Sequence, residues 1–535
     1  MHHSNSRVVF VPASQEKLFA GVDKLANLIR PTLGPLPRTV VNEAPLRTSV
    51  PEILDDGGTI ARRVIQIGDP DENIGAMFLR NILRQLHETV GDGAATTAVL
   101  FQAILHTTRR LVGAGINPMD LRQQIEWATD RACEALHSQV QPLRGQDAIA
   151  RCALVICHDA EMATLLGEIF YITDGDGYVR VLEWERRALD REYVEGSFWT
   201  GSWISPYMIT NTKRQEAIMV DPAIFVSDLS LVTPEDVVPV MQAALSAGKD
   251  SLFMLVEDMS GPALSLLLAN HQAGVLKALV VKCSAFDEKV DAVEDLGYLT
   301  GARPLRKAAG DAIRRVSATD LGTACRAWAT VSDFGVAGGG GDPRALRRHI
   351  AVLRERLNTA TSREEADSLR KRVGRLLGGV ATLYVGGATE VEIKSRAAMA
   401  RQTVTALHFA ITNGVVPGGG SGLVRCAEVL RRTAGRPEMA RGTEVLARAL
   451  EEPLRVIATN AGYESSPVIE AVRAAPAYWG FDAGVGAVVD LQQAGILDPV
   501  TVLEAAIQTA GRSAALLLTT DVLVHPKRTR TTVKA

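Results

Sequence analysis

The sequence predicts a multidomain chain of α and α/β architecture, with a mostly helical base built from both ends of the chain and an α/β insert between them. Three observations predict this. At 535 residues the chain is too long for one hydrophobic core, and its length argues for roughly three or four domains. The terminal thirds carry apolar residues at helical spacing, whereas the middle alternates short β-branched or apolar runs with helical stretches. Two ends alike in style around a different middle make the base discontinuous.

The elements follow in order. Leu18, Val22, Leu25 and Ile29 recur at helical spacing over residues 15–29, and Pro31 and Gly34-Pro35 then stop the helix. A second periodic stretch over 73–90 breaks at Gly91-Asp92-Gly93, after which an Ala/Thr-rich helix resumes through Leu100 and Leu105. In the middle, 217–220, 252–256 and 278–281 read as strands, and 234–247 and 262–272 as helices. Over 344–377 the residues Leu346, Ile350, Leu353 and Leu357, then Leu369, Val373 and Leu376, fall at three- and four-residue steps around a polar centre at 359–365. That pattern reads as an antiparallel helical hairpin. Gly378-Gly379 closes it, and from Thr389 onward the chain is mostly helical, broken at 414–420.

Composition excludes several function classes. The apolar share of 47% and charged share of 22% are ordinary for a globular protein, and a formal charge of -3 gives no basic field for nucleic acid. The cluster Lys527, Arg528, Arg530 and Lys534 reads as a solvated end. Six scattered cysteines form no C-x-x-C pair, so neither a zinc site nor a disulfide framework is indicated. Residues 1–14 lack the apolar core of a signal peptide, and the apolar stretch near the C-terminus is interrupted by Arg512 and Asp521, short of the ~20 residues of a membrane span. A soluble, cytoplasmic protein is expected.

The chemistry lies in the glycine loops. Gly91-Asp92-Gly93-Ala94-Ala95-Thr96-Thr97 reads either as a tight turn with Asp92 as a cap, or as a helix start whose amides meet an anion while Asp92 holds a metal. Thr32-Leu33-Gly34-Pro35, Asp55-Asp56-Gly57-Gly58-Thr59 and Gly418-Gly419-Gly420 are three more small loops, with Gly462 and Gly495-Ile496-Leu497-Asp498-Pro499 further on. In order and spacing these loops resemble the nucleotide site of group I chaperonins, the GroEL type. The resemblance covers nearly the whole chain: Asn117-Pro118-Met119-Asp120-Leu121, Val194-Glu195-Gly196 with Ser205-Pro206-Tyr207, and Val385-Gly386-Gly387-Ala388-Thr389-Glu390-Val391-Glu392 are similar to further motifs of that family.

The resemblance implies a helical equatorial domain (1–138 and 414–535), a small intermediate domain (139–194 and 381–413) and an α/β apical domain (195–380). Pro142 with Gly414, and Gly196 with Gly378-Gly379, match the family's hinges, and Arg455 and Glu464 match charges used between rings. The implied assembly is a homo-oligomeric, seven-membered ring, stacked in pairs, with unfolded polypeptides as clients and a co-chaperonin lid. The implied cofactors are ATP and Mg²⁺, with K⁺ a further candidate. Thr32, Leu33, Gly34, Pro35, Asp92, Gly93, Ala94, Ala95, Thr96, Gly419, Asp482, Ala483 and Asp498 match the nucleotide site, Asp92 as metal ligand and Asp56 as a catalytic carboxylate. Trp203, Tyr207, Met208, Val238, Met241, Leu264, Leu268 and Ala269 match the groove that captures apolar polypeptide, where Met suits an adaptable surface.

Several departures touch the chemistry. The family's G-D-G-T-T-T becomes Gly91-Asp92-Gly93-Ala94-Ala95-Thr96, losing two hydroxyls worth roughly 1 kcal/mol each toward a phosphate. Asp55 stands where the family has lysine, reversing a charge near an anionic ligand. Asp482-Ala483-Gly484 replaces Asn-Ala-Ala near the base. The largest departure is Thr405, which stands where the family carries an aspartate that helps position the attacking water; losing such a group costs roughly 10²- to 10⁴-fold in rate. The family's flexible Gly-Gly-Met ending is also replaced by a basic one. The expectation is ATP binding with slow hydrolysis; the alternatives are a scaffold or holdase, or a subunit of mixed rings, with little or no ATPase activity.

Overall fold

The computed structural model describes residues 7–42, 52–54, 56–173, 178–211, 215–283, 286–360, 362–377, 379–433 and 437–525. Asp55, Gly378 and the basic C-terminal cluster lie outside the described residues. The chain divides into two compact units, Met1–Tyr171 with Gly387–Ala535, and Ile172–Gly386.

The first unit is helical. Its core gathers Leu18, Val22, Leu25 and Ile29 from the helix Ala13–Ile29 with Leu79 and Leu83 from Pro70–Val90, all fully buried or nearly so. These two helices touch through glycine. A Cβ on Gly75 would lie 2.0 Å from the Leu18 carbonyl oxygen, and one on Gly21 would lie 1.8 Å from that of Glu72. Ala94–Gly113, Pro118–His137, Ala440–Asn460 and Val500–Leu518 pack on the same core. The two ends of the chain meet in an antiparallel strand pair, Arg7–Phe10 with Val522–His525.

A second chain crossing sets up the site. Gln141 and Val415 exchange both backbone hydrogen bonds at 2.8 Å, and the strand Val415–Pro417 then pairs antiparallel with Leu497–Pro499. Gly414, at φ 89°, makes this possible, since a Cβ there would lie 2.7 Å from the Gln141 carbonyl oxygen. Nearby, Asp159 receives two hydrogen bonds from the Arg396 guanidinium, the shorter at 2.6 Å.

The second unit is α/β, as the alternating pattern predicts. Ala223–Val226, Ser251–Leu255 and Lys277–Cys283 are adjacent parallel strands, joined through the helices Pro234–Ser246 and Gly261–Gln272. Parallel neighbours need such crossovers, and strands covered on both faces are largely apolar: all five residues of Ser251–Leu255 are buried, four of them apolar. Antiparallel strands complete the sheet, and Asp333–Gly339 bonds to both Ser197–Trp203 and Gly322–Ala329, drawing its ends together. A smaller sheet joins Gly379–Val385 to Tyr178–Glu183 and Asp190–Glu195.

The helical hairpin is present as Pro343–Thr359 and Arg363–Leu376, zipped by Ile350, Leu353, Leu369, Val373 and Leu376. A buried ion network ties it to the helix Phe286–Thr300. Arg372 places its Nε 3.0 Å and Nη2 2.7 Å from the two oxygens of fully buried Asp295, and also reaches Asp291 at 2.8 Å and Glu294 at 2.9 Å. Desolvation opposes the guanidinium charge, but these carboxylates outweigh it and raise its pKa. Because removing one member of a buried pair strands the other charge, Arg372→Leu is expected to destabilise the protein by about 3 kcal/mol or more, seen as a lowered calorimetric transition. A loss below about 1 kcal/mol would mean that the network does not hold the hairpin.

Candidate functional site

Four loops converge in the first unit. The 3₁₀ turn Arg30–Thr32 leads into Leu33 and Gly34, and Asn460 Nδ2 pins it by donating to the carbonyls of Arg30 (3.0 Å) and Leu33 (2.9 Å). Asp56 caps the helix Gly57–Arg63, its carboxylate accepting from the amides of Gly58 (3.2 Å) and Thr59 (2.7 Å). Gly57 packs so closely on Ala95 that a Cβ there would lie 3.3 Å from the Ala95 Cβ. The start of that short helix therefore abuts the start of Ala94–Gly113.

Gly91 and Gly93, at φ 82° and 87°, bracket Asp92, ending one helix and beginning the next. No side chain caps the new helix, and Asp92 Oδ1 accepts only the adjacent Gly93 amide, at 2.6 Å. The amides opening Ala94–Gly113 face outward with the positive end of the helix dipole. Thr405, on the helix Glu390–Asn413, stands against this turn: a Cβ on Gly91 would lie 3.2 Å from the Thr405 Cβ. Its hydroxyl donates to the Arg401 carbonyl at 3.0 Å, within its own helix.

The fourth loop follows from the strand pairing described above. Gly418 donates to the Ile496 carbonyl at 3.0 Å, and the Gly419 amide donates to the Asp498 carboxylate. The Phe481 carbonyl oxygen would be 3.6 Å from a Cβ on Gly419, so Asp482 and buried Ala483, at the end of the strand Trp479–Asp482, adjoin this loop.

The charges are unbalanced. Desolvation and then the neighbouring Asp92 charge push the Asp498 carboxyl up to about 7. Asp92 is also raised, by desolvation first and then by Asp56, against the Gly93 amide and the more distant His87 and His158. Solvent reaches the Asp92 side chain, yet protein atoms crowd it closely enough for desolvation to dominate, a combination typical of a narrow cleft. Among the described residues neither Asp92 nor Asp498 has an ion-pair partner. Oxygen ligands with surplus negative charge beside uncapped helix amides fit a hard divalent cation held together with an anion.

The sequence-selected residues Thr32, Leu33, Gly34, Asp56, Asp92, Gly93, Gly419, Asp482, Ala483 and Asp498 thus lie on or beside these converging loops, with Pro35 directly after the first, Ala94, Ala95 and Thr96 opening the adjoining helix, and Thr405 on the helix packed against the Asp92 turn. His87 and His158 were not selected. His87 Nε2 lies 2.8 Å from Gln402 Nε2, and its ring covers Gly58, joining three helices around the carboxylates. Only its place one turn before Gly91 hints at this.

The proposed polypeptide-binding residues divide. Tyr207 is 69% exposed, Ala269 is exposed, and Trp203, Val238, Leu264 and Leu268 are half-buried. The helices Pro234–Ser246 and Gly261–Gln272 pack against each other, and the turn Pro206–Met208 lies beside the latter. Gly261–Gln272 carries a run of leucines and alanines, of which only Ala263 and Leu267 are buried. The two methionines depart from expectation. Met208 is 1% exposed, its sulfur accepting the Val280 amide at 3.3 Å, and Met241 is 7% exposed. Both fill the core beneath the surface, where sheet and helix close over them.

The structure is similar to that of the chaperonin gp146 from the bacteriophage EL 2 (Pseudomonas aeruginosa), crystallised in the presence of ATP-BeFx, with a TM-score of 0.63 and 17% identity over 97% of this chain and 99% of that one. At that identity the likeness establishes a chaperonin fold. The model of the TCP-1/cpn60 chaperonin family matches residues 25–167 and 234–528. This chain belongs to that family, as a divergent member. Among the described residues no helix is long and apolar enough to cross a membrane.

The raised Asp498 carboxyl has a pH signature. Its folded value of about 7 lies above the ~3.9 of an unfolded aspartate, so folded protein holds the proton more tightly and stability falls as pH rises from about 4 to about 7. Without divalent cations, Asp498→Asn is therefore expected to raise the melting temperature more at pH 8 than at pH 5. An equal shift at both pH values would contradict the electrostatic account.

Proposed function

We propose that this protein is a chaperonin subunit that holds non-native polypeptide on the apolar face of its α/β unit and binds Mg²⁺ and ATP among the converging loops of its helical unit, with slow hydrolysis. One observation carries the reading: three carboxylates, Asp56, Asp92 and Asp498, meet beside an uncapped helix start, with Thr405 packed on the turn that bears Asp92. A bound Mg²⁺ would neutralise this acidic cluster and the phosphates together. Asp92 would hold the cation, the amides of Ala94, Ala95 and Thr96 would meet phosphate oxygens, and Gly419, Ala483 and Asp498 would flank the nucleoside.

Slow turnover follows from Thr405. Its hydroxyl donates into its own helix, and no hydroxyl accepts a proton as general base at neutral pH. Asp56, whose two oxygens already accept helix amides, is left to orient water by its charge. At saturating ATP, phosphate release by Thr405→Asp is expected to exceed that of the wild type by about 10²-fold. An unchanged rate in the variant would sink the assignment of Thr405 as the limiting position.

Polypeptide binding rests on Tyr207, Trp203, Val238, Leu264, Leu268 and Ala269, a surface whose apolar residues are only partly covered. Exposed apolar area captures apolar chains without reading sequence. A cytoplasmic ring of such subunits, seven-membered and closed by a co-chaperonin lid, would multiply each weak contact around its rim. Leu268→Asp with Tyr207→Asp should weaken capture of an acid-denatured test protein by about tenfold or more and leave ATP affinity unchanged. Undiminished capture would move the client surface elsewhere.

A further inference from the structure

We propose that Asp482 sets the nucleobase selectivity of this site, so that it accepts a guanine nucleotide at least as well as an adenine nucleotide. The inference rests on the nucleotide-site reading above and deepens it by naming the base.

The geometry isolates one atom. Asp482 closes the strand Trp479–Asp482, and the turn after it leads into the antiparallel strand Ala487–Asp490. Its Oδ1 accepts the Gly484 amide at 2.8 Å and the Val485 amide at 3.3 Å, while its backbone carbonyl accepts from Gly486 at 2.8 Å. The side chain is thereby fixed to the turn through Oδ1. An asparagine would serve the turn equally well, because its Oδ1 accepts the same two amides. The two residues differ only at the remaining atom, an acceptor Oδ2 in aspartate and a donor Nδ2 in asparagine. Among the described residues Oδ2 receives no hydrogen bond.

On the nucleotide-site reading, the residue that bears this atom adjoins the loop that would flank the nucleoside. The residue before it, Phe481, packs by its carbonyl on the Gly419 loop, and Gly419 donates to Asp498. A carboxylate held there accepts hydrogen bonds and offers none. The pairing edge of adenine presents one donor, the exocyclic amine, next to the acceptor N1, whose lone pair faces a carboxylate unfavourably. Guanine presents two adjacent donors, N1–H and its exocyclic amine, which match the two lone pairs of Oδ2. Sites that read hydrogen-bonding groups discriminate strongly, because the wrong partner leaves a polar atom unpaired.

The test uses the full-length protein with Mg²⁺, measuring dissociation constants of ATP and GTP by calorimetry for the wild type and for Asp482→Asn, which keeps the Oδ1 contacts and so the turn. The wild type is expected to bind GTP as tightly as ATP or more tightly. The substitution is expected to move the ratio toward ATP by about tenfold, the worth of one hydrogen bond to a charged group. A wild-type preference for ATP, or a shift short of about fivefold, overturns the role of Asp482 while leaving the nucleotide site standing. Binding of neither nucleotide to either protein overturns both.

Discussion

The two hydrogen bonds that Gln141 and Val415 exchange are the constraint on which the candidate site depends. They anchor the strand that brings Gly418–Gly420 to Asp498, segments separated in sequence by most of the C-terminal helices. Without that pairing the glycine loop would have no fixed relation to the carboxylate. The left-handed conformation of Gly414 is the local cost of this crossing, and no residue with a Cβ fits there without displacing Gln141.

The convergence also sets the electrostatics. Three carboxylates are brought near one another; Asp56 is offset by the Gly58 and Thr59 amides, while the two desolvated ones, Asp92 and Asp498, have the Gly93 and Gly419 amides, with two histidines acting on Asp92. A cation entering such a site would displace protons from Asp92 and Asp498, so its affinity would rise with pH. A ligand that binds the folded chain alone would stabilise it by mass action.

Much of this was legible in the sequence because it is local. The helix Ala13–Ile29, the break at Gly91-Asp92-Gly93, the α/β alternation and the hairpin announce themselves through period and punctuation. The loops around Asp56, Asp92, Gly419 and Asp498 were found as motifs. What escaped depends on neighbours far along the chain. Arg7–Phe10 is a four-residue strand whose partner begins at Val522, and no periodicity in so short a run declares it. His87, within a helix, and His158, just past the end of another, bear on Asp92 from separate parts of the chain. Met208 and Met241 looked like surface because apolar residues do not reveal which side of a helix or turn the core will claim; the sheet beneath them took both.

The ion network of Arg372 gives the helical hairpin an unusual mechanical character. Apolar contacts yield by degrees, each ångström of separation forfeiting a little attraction. The pairing of Arg372 with fully buried Asp295 does not: a partial opening parts these two charges before water can reach Asp295, which makes the half-open state costly. Under tension or heat the hairpin behaves like a shear pin, rigid up to its limit and then released in one step.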